Sequence, residues 1–167
     1  MHAIIILSGV QVSFRERTIT LIENGPSMDL CVELQGLLGR TIAVNIEFLE
    51  QSASFQDFTN RDTTINFNAG DIALICIQLG ASMDDILEND EVFSARLSSL
   101  DNSVDIVNGS IEVTIRDSSE VVVGFDSPSE SVVEGSTFSV CVRIFSGRLA
   151  EQIELPLIIV PEDGAGM

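Results

Sequence analysis

The sequence contains no tryptophan and no tyrosine, and its one histidine is His2, at the terminus. A Ser/His/Asp or Cys/His catalytic arrangement therefore lacks a candidate base inside the chain. Paired carboxylates can hydrolyse glycosides, but sugar sites use aromatic platforms, and the rings best suited to that are missing. No HExxH, P-loop, GxSxG, Gly-rich dinucleotide turn or DxDxDG loop occurs. The expectation is a non-enzymatic protein. Basic residues are also scarce: eight against 26 acids, a formal charge of −18. No basic footprint exists to meet phosphates, which argues against nucleic acid and anionic membranes as partners. It favours cations or basic surfaces. Long apolar runs are absent too. Ala3–Leu7 is too short to span a bilayer and, without preceding basic residues, is a poor signal peptide. It reads as a strand.

What is present is strand pattern nearly throughout. Hydrophobic residues make up 45% of the 167 and charged residues 20%, so this is no disordered acidic tail. Met28–Leu34 and Ile42–Phe48 alternate apolar and polar residues at period two, the mark of strands with one face in a core. Thr64–Phe67, Ile72–Leu79, Val92–Leu97 and Ile111–Ile115 read as further strands. Asn24-Gly25-Pro26, Asn68-Ala69-Gly70-Asp71 and Asn108-Gly109 are turn signals between them. Seven or so short strands and no convincing helical period predict an all-β, immunoglobulin-like antiparallel sandwich.

The pattern then restarts. Val10–Phe14 matches Val121–Phe125, at an offset of 111 residues. Leu30–Leu34 matches Val140–Ile144 at 110, and Ile42/Val44/Ile46 matches Ile153/Leu155/Leu157 at 111. Tandem sandwiches explain this best. The expected organisation is an N-terminal strand or the end of a preceding repeat at 1–9, one domain at 10–119, and a partial second sandwich at 120–167. Three strands leave an apolar face and open edges uncovered. Two expectations follow: a fragment of a longer array, or a half-domain completed by another chain.

Cys31 and Cys76 occupy polar slots of their strands and are expected to face outward, on neighbouring strands of a sandwich. They can form a disulfide, implying an oxidising, extracellular setting, or remain free thiols. By the repeat, Cys141 corresponds to Cys31, and its partner would fall near position 186. Asn108-Gly109-Ser110 is a glycosylation sequon, Asn108 being the acceptor, and equally a plain hairpin turn.

The densest chemistry is in Asp84-Asp85-Ile86-Leu87-Glu88-Asn89-Asp90-Glu91-Val92-Phe93. It places five carboxylates between two strand-like runs. Ca²⁺ is held by several oxygen ligands, and acids gathered this way supply them. This segment resembles the signature stretch of Calx-beta domains. So do Ile19–Glu23, Asp57-Phe58, Ile65–Gly70 and Val113-Thr114-Ile115-Arg116-Asp117. The resemblance covers about residues 10–119 and restarts at 121. It implies Ca²⁺ as cofactor, one or two ions, at Glu23, Asp57, Asp84, Asp85, the carbonyl of Ile86, Glu88 and Asp117. Two positions depart from the pattern. Ser118 and Ser119 follow Asp117 where further acids are usual, and Met83 precedes Asp84; both imply reduced capacity. Asp90 and Glu91 read as solvated charges at a strand entrance.

The function expected is an extracellular structural or adhesion module, stiffened by Ca²⁺ at an acidic tip. Its partners would be proteins, or further copies joined through sheet edges; nucleic acid and membrane insertion are not expected. The alternatives are a Ca²⁺-sensing regulatory domain of a transporter or receptor, and a fibre subunit joined through the incomplete domain.

Overall fold

A computed structural model describes residues 9–70 and 74–160. The strand expected at Ala3–Leu7 lies outside the described residues, as do the first two positions of the expected strand Ile72–Leu79 and Asp71 of the turn before it. Every regular element described is a strand: β1 Val10–Phe14, β2 Thr18–Ile22, β3 Met28–Gln35, β4 Ile42–Glu50, β5 Thr63–Phe67, β6 Leu74–Leu79, β7 Ile86–Leu87, β8 Glu91–Ser98, β9 Val104–Ile106, β10 Ser110–Arg116, β11 Val122–Phe125, β12 Val142–Ser146 and β13 Arg148–Leu149. No helix among the described residues is long and apolar enough to cross a membrane.

Two sheets form the first domain, in the orders β6-β3-β1-β9 and β2-β10-β8-β4-β5. Period-two alternation drives the layering. In β4, Ile42, Val44, Ile46 and Phe48 are buried while Ala43 faces solvent and Asn45 and Glu47 are only partly covered. The inner faces meet in one core around Phe14, Leu21, Leu30, Val32, Phe67, Leu79, Phe93 and Val113. β1 and β2 are successive pieces of one extended stretch, yet they belong to different sheets, the chain changing sheet at Arg15–Arg17. This switch makes two ladders parallel, β1 with β9 and β2 with β10, within an otherwise antiparallel domain.

Within the first sheet, Cys31 lies opposite Cys76 on β3 and β6, and a disulfide joins them. Cys31 points away from the core but is only 4% exposed, which corrects the expectation of a surface position. Its sulfur is bonded to Cys76 and its amide donates to the Glu16 carboxylate. The Asn108-Gly109 turn is also not a hairpin between paired strands, because β9 and β10 lie in different sheets. Asn108 takes a left-handed conformation, φ 54°, which asparagine tolerates well.

The second copy is sparser. β11 and β12 pair antiparallel, and β13 pairs parallel with β7 of the first domain. The third strand expected over Ile153–Leu157 is not formed; residues 150–160 carry no strand. Pro156 removes one ladder donor there, which confines such a segment to a sheet edge. No second sheet covers β11–β12 among the described residues, so Phe125 and Val142 are each 50% exposed.

Candidate metal site at the acidic tip

Strand pairing gathers acids from distant positions at one end of the sandwich. Parallel pairing of β2 with β10 sets Ile22 beside Arg116. The next residues, Glu23 and Asp117, therefore leave the sheet side by side, and the Glu23 amide donates to the Arg116 carbonyl. Antiparallel pairing of β8 with β10 puts Glu91 opposite Ile115, at the same end. Asp57 sits on the 51–62 connection, which is tied to its neighbours by bonds from Ala53 N to Val92 O and from Ser82 N to Asp57 O. Asp84 and Glu88 flank β7 on the crossing from β6 to β8. Beneath them is an aromatic floor. Phe58 stacks on Phe93 with centroids 4.0 Å apart, and Phe48 and Phe55 tilt against Phe58.

This floor and the mutual repulsion set the electrostatics. Burial, then Asp117 and Asp84, push the Glu23 carboxyl up to about 7. Burial, then Asp57 and Glu88, push Glu91 up to about 7. Glu88 is raised by burial and by Asp84, Asp57 and Asp117. Asp117 goes the other way. Burial alone would raise it, but amide bonds from Ser119 and Glu88 outweigh that and hold it low. Its Oδ1 accepts from Ser119 N at 2.7 Å and its Oδ2 from Glu88 N at 2.8 Å. Protonated Glu23 donates to Asp117, while Glu23 Oε2, on a residue only 7% exposed, has no partner. Ser118 and Ser119 brace the rim, donating through Oγ to the carbonyls of Glu23 and Asp84.

The structure thus brings Glu23, Asp57, Asp84, Glu88 and Asp117 into one electrostatic cluster. Asp85 is outside it: its side chain turns to Arg148, at 4.0 Å, and its carbonyl accepts from Arg148 N. The carbonyls of Asp85 and Leu87 both accept from β13 and the loop after it. Successive carbonyls of a strand alternate in direction, so that of Ile86 points the opposite way. Sequence reasoning misassigned Glu91. Its neighbour Asp90 is exposed and pairs with Arg116, but Glu91 shares a hydrogen bond with Asp57 inside the cluster. A signal existed: at period two Glu91 lies on the same face as the buried Phe93, Ala95 and Leu97. Asn108 Nδ2, the atom a glycan would modify, donates to the Phe14 carbonyl at 3.1 Å.

The donor set suits a hard cation in kind: all oxygen, carried on several loops, with one buried carboxylate oxygen unpartnered. Among the described residues, however, no three His, Cys, Asp or Glu side chains are positioned to hold a metal ion as they stand. The acids are spread by repulsion, two of them near neutrality, and closure on an ion needs side-chain movement.

Residues 8–119 match the family model for the Calx-beta domain. Among solved structures, an apo-form Calx CBD1 domain is 25% identical, with a TM-score of 0.60, over 65% of this chain and 97% of that one. The calcium binding domain CBD12 of CALX1.1 is 26% identical, TM-score 0.58, over 64% of this chain and 44% of that one. CBD12 from CALX1.2 is 23% identical, TM-score 0.61, over 75% and 51%. The chain spans about half the length of these two-domain structures. The search of curated proteins gave no match.

Proposed function

The chain belongs to the Calx-beta family, and on that premise we propose that residues 10–119 form a non-enzymatic, Ca²⁺-responsive interaction module. The observation that carries this is the uncompensated acidic tip. Five acids from four connections cluster with the half-buried Glu91, no basic side chain figures among the groups that shift Glu23, Glu88 and Glu91, and Glu23 and Glu91 hold protons near neutrality. A cation removes the repulsion that the fold otherwise bears. Glu23, Asp57, Asp84, Glu88, Glu91 and Asp117 would supply oxygens, with the Ile86 carbonyl. A bound ion supplies positive charge that holds these loops together. Because the ligands must be ionised, binding releases the protons of Glu23 and Glu91.

The Cys31–Cys76 disulfide supports an extracellular or cell-surface setting, since such bonds persist in oxidising compartments. There the module would space and present surfaces in an adhesion or matrix protein. A second reading, a regulatory Ca²⁺-sensing domain attached to a transporter or receptor, is favoured by the neighbour described as a calcium binding domain.

Thermal unfolding of the full chain, in EDTA and then in rising Ca²⁺ with Mg²⁺ as control, tests the proposal. At a hundredfold excess over Kd, binding to the folded state adds about 2.7 kcal/mol. For a domain this size that is a rise in Tm of roughly 10 °C. The rise should be saturable, selective for Ca²⁺, and lost in Asp84→Ala/Glu88→Ala. No shift at millimolar Ca²⁺ would make the tip a relic and the domain a plain spacer.

A further inference from the structure

The internal repeat is present in the backbone as well as in the sequence. In the first copy Phe14 pairs with Val32, Ser13 with Glu33 and Val12 with Leu34. In the second, Phe125 pairs with Val142, Gly124 with Arg143 and Val123 with Ile144. The flanking bond is repeated too: Arg15 N donates to Cys31 O at 3.0 Å, and Asp126 N to Cys141 O at 2.9 Å. β12 is therefore the counterpart of β3, and Cys141 of Cys31.

The counterparts differ at their outer edge. The edge of β3 away from β1 is taken by β6, antiparallel, with Cys31 bonded to Cys76. Among the described residues no strand pairs with β12 there. Cys141 is an exposed free thiol. An open edge with unpaired amides and carbonyls is a template for an added strand.

We propose that the outer edge of β12 accepts an antiparallel strand of β6 type, in which apolar residues flank a cysteine that comes to lie opposite Cys141 and bonds to it. The first copy supplies the occupant's chemistry. Ile75 and Ile77 flank Cys76 and lie opposite Val32 and Leu30, whose counterparts are Val142 and Val140. A slip of one residue would send the apolar side chains to the wrong face and the cysteine away from its partner. Bond formation removes two electrons and two protons from the two thiols; these reduce one oxidised glutathione to two thiols.

The test uses the full 167-residue chain and a peptide with the sequence Leu74–Gly80, in a glutathione redox buffer. The control peptide has the same residues with cysteine moved by one position. Peptide mapping by mass spectrometry locates the mixed disulfide. The matched peptide should be captured at Cys141 at least about tenfold faster than the control, a difference of about 1.4 kcal/mol. A serine version of the matched peptide should slow alkylation of Cys141 without any covalent bond. Equal capture of the two peptides overturns the proposal. So does formation of a Cys141–Cys141 homodimer that the matched peptide fails to suppress.

Discussion

The two copies of the repeat pair their first two matching strands in the same register, yet one pair is buried and the other is not. Val32 in β3 is fully buried, whereas Val142 at the matching place in β12 is 50% exposed. The shared register follows from the matching apolar pattern of the paired strands. Burial needs the opposing sheet, and in the first copy that sheet comes from β4, β5, β8 and β10, up to about a hundred residues away. A similar local sequence is thus a core strand in one place and, among the described residues, a strand with an exposed face in the other.

The comparison is broken hardest in the core. Phe93 is fully buried in the aromatic floor, stacked on Phe58, whereas Phe125 is half exposed. Phe93→Ala should cost about 3–5 kcal/mol, and Phe125→Ala less than about 0.5 kcal/mol, both read from denaturant midpoints of the full chain. Comparable losses would mean that the second copy has a core of its own. The cysteines come next. Replacing Cys31 and Cys76 by serine should cost about 2–4 kcal/mol for the closed loop, while Cys141→Ser should leave the midpoint unchanged.

The smallest effect concerns pH and arises at the acidic tip of the first copy. Glu23 and Glu91 are raised from 4.5 to about 7. Between those values the folded state keeps protons that the unfolded chain has lost. Stability is then highest near pH 4.5 and falls as pH rises through 7. The decline should be about 1–3 kcal/mol for the pair, since repulsion is shared among neighbours. Asp117, held low, acts with the opposite sign, and its contribution is lost only as pH falls below 3.8. Glu23→Gln should flatten the neutral limb, and under the proposed function saturating Ca²⁺ should reverse its slope, because ionised glutamates would be its ligands. Melting curves from pH 4.5 to 8 read both; an unchanged slope in Glu23→Gln would place the titrating group elsewhere.

Much of the fold was legible because alternation in β3, β4, β8 and β10 is clean and one-sided. The breaks in legibility have particular causes. β9 is three residues long and too short to show a period. The change of sheet between β1 and β2 leaves no mark on alternation. The repeat alone suggested a strand over Ile153–Leu157, and it carries no information about the missing amide of Pro156. At the tip, Glu23, Asp57, Asp84, Glu88 and Asp117 were named through family resemblance. Glu91 was passed over, although the period of its own strand aimed it inward. Asp85 was implied by the same resemblance, but its side chain turns to Arg148, as neighbours in an extended segment point opposite ways.

By itself the sequence determined the class of fold, the repeat and its offset, the inward and outward faces of most strands, and a surplus of acids with nothing basic to meet them. Those are consequences of period, composition and count, which need no knowledge of what lies opposite. The tertiary structure alone decided which acids share a site, that Cys31 is covered rather than exposed, and that no strand among the described residues pairs with the outer edge of β12. Each depends on pairing between residues tens of positions apart, so that Glu23 and Asp117 become neighbours only when β2 lies parallel to β10.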